Sequence, residues 1–191
     1  VTDAPASDRV AYAGLDNAQA GRLAAQLMAM HVQTGTVLIG HSRHDFEGEA
    51  ARNAAFVAEI GRCLPDVNIV TLPDAAGLNT GTAQAIGEII PPDTDLAGIY
   101  SAGGGNRAIH AELSRRGQLP SVYIAHDLDA DNVALLASGA LTYVLHHDLE
   151  ADMIAAFRHI LAAHKLTQTP PSVVTSDIQI IVSGNIPQRY R

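Results

Sequence analysis

Short apolar runs alternate along the chain with longer stretches in which apolar residues recur every three to four positions. The short runs fall at 10–14, 36–40, 67–72, 96–101, 121–126 and 141–146, with the length and composition of strands. The stretches between and after them, at 18–31, 47–63, 80–90, 106–117, 129–138 and 150–165, carry a helical period. Strands separated by helices of this length predict βαβ units and an α/β fold built on a parallel sheet. In such sheets ligands bind beyond the carboxyl ends of the strands. Four polar segments lie there: Gly40-His41-Ser42, Gly103-Gly104-Gly105-Asn106, His126-Asp127 and His146-His147-Asp148.

Breakers refine the outline. Asp16 and Asn17 stand where they can accept the free first-turn amides of the first helix, and Gly21 lets another backbone approach that helix closely. Asp66, Asp74, Asn79, Pro91-Pro92 and Gly117 mark turns or helix ends. Residues 1–9 read as a loop entering the first strand from something upstream. Beyond the last helix, Thr167-Gln-Thr-Pro-Pro171 breaks the pattern, and two strand-like pieces follow at 172–176 and 178–183.

Composition narrows the function more than the fold. The 191 residues suffice for one main domain. With 12 basic and 20 acidic side chains, the formal charge of −8 repels a phosphate backbone, so any DNA contact belongs to another part of the protein. Tryptophan is absent and aromatic content is 4%, which disfavours a stacking platform for single strands. No apolar run approaches the ~18–20 residues of a membrane span, and residues 1–7 lack the features of a signal peptide. The single cysteine, Cys63, ends a helix and reads as a small apolar filler. It excludes an internal disulfide and leaves cytoplasm and periplasm both open.

Candidate chemistry gathers at the strand ends. The loop His41-Ser42-Arg43-His44-Asp45-Phe46, followed by Arg52 in the next helix, offers donors, an aromatic ring and a guanidinium fork suited to hydroxyls. Its plainer reading is a solvated loop with Arg52 paired to Glu49. The glycine turn matches G-x-G-x-x-A through Gly103, Gly105 and Ala108, with Asp127 downstream at a distance suited to a ribose. It therefore admits a dinucleotide-binding enzyme as one alternative, and presentation of Asn106 to a neutral polar ligand as another. Asp127 fits either a hydroxyl-accepting carboxylate or the cap of the helix that follows. Adjacent strand residues point to opposite faces, so His146 and His147 do not share one pocket; even with His41, His44 and His126 in reach, no metal site is expected, nor any cofactor. No G-x-S-x-G occurs, and Ser42, Ser101 and Ser138 lack a nucleophile's setting, so no enzyme is expected.

Taken together, these residues resemble a known family. The spaced pattern of Asp3, Pro5, Ser7 and Arg9, then Tyr12-Ala-Gly-Leu-Asp-Asn17 and Ala20-Gly-Arg-Leu-Ala-Ala25, resembles the segment where type I periplasmic-binding folds cross between lobes. Arg52-Asn-Ala-Ala-Phe56 is similar to the family's R-x-x-G-F, with Ala55 in the glycine's place. Gly104-Gly-Asn106, Ala125-His-Asp127 and Tyr143-Val-Leu-His-His-Asp148 resemble three later pocket segments, and Ser183-Gly-Asn-Ile-Pro187 the closing strand. The opening motifs resemble most closely the sugar-responsive regulators of the lactose-repressor (LacI) family.

The resemblance implies a three-layer αβα lobe of the type I periplasmic-binding-protein fold. Residues 1–15 would end the N-terminal lobe, 16–148 form the C-terminal lobe, 149–166 return as a helix to the N-terminal lobe, and 167–191 cross the hinge and end the chain. Phe46, Arg52, Asn106, Asp127 and His147 would contact ligand, with His147 where glutamine is commoner; Asp16, Asn17 and Asp148 would sit at the hinge. The implied protein is a cytoplasmic, dimeric regulator whose sugar-like effector closes the lobes and changes operator affinity through a headpiece outside this chain. The alternative within the same fold is the solute receptor of a sugar transporter.

Overall fold

The computed structural model describes residues 11–42, 46–73, 79–167 and 175–190. Strands β1 (Thr36–Gly40), β2 (Asn68–Thr71), β3 (Leu96–Ser101), β4 (Val122–His126), β5 (Tyr143–His146) and β6 (Gln179–Ile181) form one sheet in the order β2-β1-β3-β4-β5-β6. The first five are parallel, and β6 pairs antiparallel with β5. Helices α1 (Asn17–Ala29), α2 (Glu47–Cys63), α3 (Asn79–Ile89), α4 (Asn106–Arg116), α5 (Ala130–Ala137) and α6 (Leu149–Ala163) alternate with the strands.

The apolar runs explain the layers. Every residue of β1 and of β4 is buried, as expected of strands covered on both faces. Successive side chains part to opposite sides. Val37 and Ile39 join Ala24, Met28, Phe56 and Ile60 of α1 and α2, whereas Leu38 joins Ile86, Ile109, Leu113 and Leu136 of α3, α4 and α5. The sheet therefore separates two cores. Gly21 earns its place where α1 meets α2: a Cβ there would lie 2.1 Å from the Arg52 carbonyl oxygen.

Two expectations need correction. In the first predicted strand, 10–14, Val10 lies outside the described residues, and 11–14 form no strand; Leu15 makes one parallel bridge to Ser176 instead. Among the described residues the pairing is this single bridge, and a strand needs a ladder. Of the tail strands, 172–174 lie outside the described residues, and 178–183 contracts to β6 at the sheet's edge.

Helix α6 stands apart from both cores. Met153, Ile154, Phe157, Ile160 and Leu161 are all exposed, and the buried residue of this helix is an acid, Asp152. No described helix is long and apolar enough to cross a membrane.

Candidate functional site

The strand order reverses between β1 and β3: from β1 the chain moves outward to β2, and then returns to β3 on the other side. A crevice opens at such a switch point, beyond the carboxyl ends of the two strands. Ser42 follows β1 there, with its N–H donated to Glu49 Oε2 at 2.7 Å and its Oγ accepting the Gly104 N–H at 2.7 Å. A Cβ on Gly103 would come within 2.5 Å of the Glu49 carboxylate and of Ser42 Oγ. The glycine turn is thus shaped by close packing, and a carboxylate sits on it. A pyrophosphate would meet that negative charge and find the Gly104 amide engaged, which removes the physical basis of the dinucleotide alternative.

Arg52 lies in α2 and is buried. Its Nε donates to Asn17 Oδ1 at 2.8 Å and its Nη1 to the Ala102 carbonyl at 3.0 Å, which orients the guanidinium toward the sheet rather than toward a surface partner. Nη1 lies 3.9 Å from Asp127 Oδ2.

Asp127 follows β4 with φ of 65°, a left-handed conformation that costs a side-chain-bearing residue free energy. Its backbone is pinned, the N–H donating to Leu145 O at 2.9 Å and the carbonyl accepting from Asn132 Nδ2 at 2.8 Å. The cap of α5 is Asp129, which accepts the Asn132 N–H, so capping does not account for Asp127. Its carboxylate is 45% exposed as a whole, yet Oδ1 is buried with no hydrogen-bond partner among the described residues. His147 Nε2 stands 3.6 Å from that oxygen. The other ring nitrogen, Nδ1, lies 2.5 Å from Asp152 Oδ2.

The remaining histidines turn elsewhere. His146 accepts the Leu128 N–H on Nδ1 at 3.4 Å, so its Nε2 carries the proton and donates to the Tyr190 hydroxyl at 3.1 Å. Burial lowers its pKa. His126 pairs through Nε2 with the Tyr100 hydroxyl at 2.9 Å, beside a Phe56–Tyr100 stack. Burial, and after it the neighbouring Arg52 guanidinium, pushes His126 well below its ordinary value.

Arg52, Asp127 and His147 are therefore brought together. Asn106 is not open to the crevice in the same way, because its amide donates to Asn132 Oδ1 at 2.8 Å and accepts from the Tyr123 hydroxyl at 2.9 Å, both buried contacts. Phe46 sits at the N-cap of α2 and is 42% exposed; Arg43, His44 and Asp45 lie outside the described residues. Among the expected hinge residues, Asp16 caps α1, Asn17 holds Arg52, and Asp148 caps α6 with Arg189 at 3.7 Å. Sequence reasoning missed Asn132, which fixes both Asp127 and Asn106, and Asp152. Asn132 and Asp152 read as ordinary polar helix positions, and nothing local singles them out.

A carboxylate oxygen that no donor among the described residues meets, between a guanidinium and an imidazole, suits a ligand that brings several hydroxyl groups. A hydroxyl both donates and accepts, and so can meet all three side chains.

The family model described as a periplasmic binding protein domain matches residues 1–163. No curated protein sequence matches the chain. Among solved structures, an ABC-transporter solute-binding protein from Burkholderia graminis, in complex with D-arabinose, superposes with a TM-score of 0.86 at 19% identity, covering 98% of this chain and 67% of that one. GanP, a glucose-galactose binding protein from Geobacillus stearothermophilus, gives 0.83 at 20% identity, covering 97% and 66%. A chain of the XylFII-LytSN complex gives 0.80 at 16% identity, covering 95% and 65%. The chain thus spans slightly under two thirds of that last relative. These likenesses establish the common fold.

Proposed function

This chain belongs to the periplasmic binding protein domain family, and from that premise we propose that it is the larger part of a two-lobed solute receptor that binds a monosaccharide for a transporter. The observation that carries the reading is Asp127 Oδ1, buried and without a hydrogen-bond donor among the described residues. Leaving such an oxygen unsatisfied costs about 1–3 kcal/mol, and a sugar hydroxyl placed against it removes that cost. Arg52 and His147 flank the same position at 3.9 and 3.6 Å from the carboxylate. The work is binding, with no bond made or broken.

The sugars named for the similar structures support this ligand class, and one of those structures is a solute-binding protein of an ABC transporter. As sugar-binding proteins, one of them from a transporter, they favour the receptor over the repressor-type regulator expected from the opening motifs. The receptor reading would place the site of action outside the cytoplasmic membrane, in place of the expected cytoplasmic location, and needs no operator partner. The exposed apolar face of α6 suits cover by the rest of a longer, two-lobed protein.

Calorimetric titration of the 191-residue chain with D-arabinose, D-glucose and D-galactose at millimolar concentration tests the proposal. Saturable heat with at least one of them, absent in a folded Asp127→Ala variant, is expected. Silence with all three, or equal binding by the variant, overturns it.

A further inference from the structure

Helix α6 inverts the usual rule of burial. Its large apolar residues face solvent, while Asp152 is 4% exposed. A carboxylate is withdrawn from water at high cost unless strong donors meet it. Asp152 has two. Oδ2 stands 2.5 Å from His147 Nδ1 and accepts the Ser176 hydroxyl at 3.3 Å. Ser176 in turn belongs to the tail segment bridged to Leu15, its N–H donating to the Gly14 carbonyl at 3.0 Å. The chain of contacts runs from the pocket, through one buried acid, to the place where segments 14–15 and 176 meet.

We propose that Asp152 is a positioning residue: it keeps the proton of His147 on Nδ1, aims Nε2 at Asp127 and the ligand, and ties that aim to the paired segments at Leu15 and Ser176. An imidazole's proton-bearing nitrogen is set by the hydrogen bond its other nitrogen makes. With a carboxylate on Nδ1, Nε2 is the atom His147 offers to the pocket. Arg52 is arranged in parallel, since its Nε is held by Asn17, two residues beyond Leu15. Both groups that flank Asp127 are thereby fastened to the same pair of segments, so a shift there moves the guanidinium and the imidazole together. The effect on ligand rests on the receptor reading above; the state of the ring does not.

The test is long-range proton–nitrogen NMR of the histidine rings in the ¹⁵N-labelled 191-residue chain, which reports which nitrogen carries the proton. Expected is a His147 ring protonated on Nδ1 in the wild type and in Asp152→Asn, which keeps an acceptor oxygen. In Asp152→Ala the proton shifts to Nε2, and D-arabinose affinity falls about tenfold or more, the size of one lost charge-assisted hydrogen bond. A wild-type ring protonated on Nε2 alone overturns the proposal without any variant, as does an unchanged ring in Asp152→Ala. A wild type with Nδ1 protonated that binds no sugar upholds the ring assignment and removes the receptor reading instead.

Discussion

Asp127 Oδ1 and His147 Nε2 face each other across 3.6 Å, too far for a hydrogen bond, although the oxygen is buried and has no hydrogen-bond partner among the described residues. The fold maintains this gap at a residue whose φ of 65° is itself unfavourable. Strain and an unmet acceptor at one position are the pattern expected of a residue kept for function rather than stability, as the receptor reading proposes.

Replacing Asp127 should therefore separate the two. In Asp127→Gly the left-handed backbone costs nothing and the unmet oxygen disappears, so the variant should be more stable by about 1 kcal/mol, or roughly 2–4 °C in melting temperature, while sugar binding is lost. Thermal melts beside calorimetry check this; a less stable variant that still binds would refute it.

Arg52→Lys should fail despite the conserved charge. The fork spans Asn17 Oδ1 at 2.8 Å and the Ala102 carbonyl at 3.0 Å, and one ammonium cannot reproduce two directed donors of a planar group. We expect a loss of about 1–2 kcal/mol in urea unfolding, with sugar affinity down at least tenfold.

Gly21→Ala sets two effects against each other. Alanine improves helix propensity by about 1 kcal/mol, but its Cβ would lie 2.1 Å from Arg52 O and 3.1 Å from Ala55 Cβ. The clash is with backbone and wins: destabilisation of about 2 kcal/mol is expected. Because the displaced carbonyl belongs to Arg52, sugar affinity should fall too.

Acid should destabilise the chain earlier than its carboxylates alone would require. His126 and His146 both titrate below the ordinary value of 6.5 because burial disfavours their charged forms. Below about pH 6.5 the unfolded chain takes up protons that the folded chain refuses. This part of the stability is therefore complete above that pH and declines as pH falls, by up to ~1.4 kcal/mol per unit for each ring. Urea midpoints at several pH values between 7.5 and 5 would show the decline; a flat profile would contradict it.

Much of this was legible in the chain because its strands are apolar throughout and its helices periodic. Thr36–Gly40 and Leu96–Ser101 form as the runs predict, as does helix Glu47–Cys63. The exception at 10–14 failed because a strand needs a partner, and among the described residues the partner of Leu15 is a single bridge to Ser176, 161 positions away (176 − 15). Arg52, Asp127 and His147 were visible as polar residues at strand ends and on the next helix. What escaped was the orientation of each. Asn106 stands in the expected loop, but Tyr123 and Asn132 draw its amide inward. Asp152 is invisible for the opposite reason, being a polar residue on a helix that buries its acid and exposes its phenylalanine.

A crystal structure of the chain grown with D-arabinose tests the central claim most directly. Expected is density for the sugar at the crevice, with one hydroxyl oxygen about 2.6–3.0 Å from Asp127 Oδ1 and others within reach of Arg52 and His147 Nε2. Sugar bound away from Asp127, or Asp127 Oδ1 still without a donor in the complex, would contradict the account.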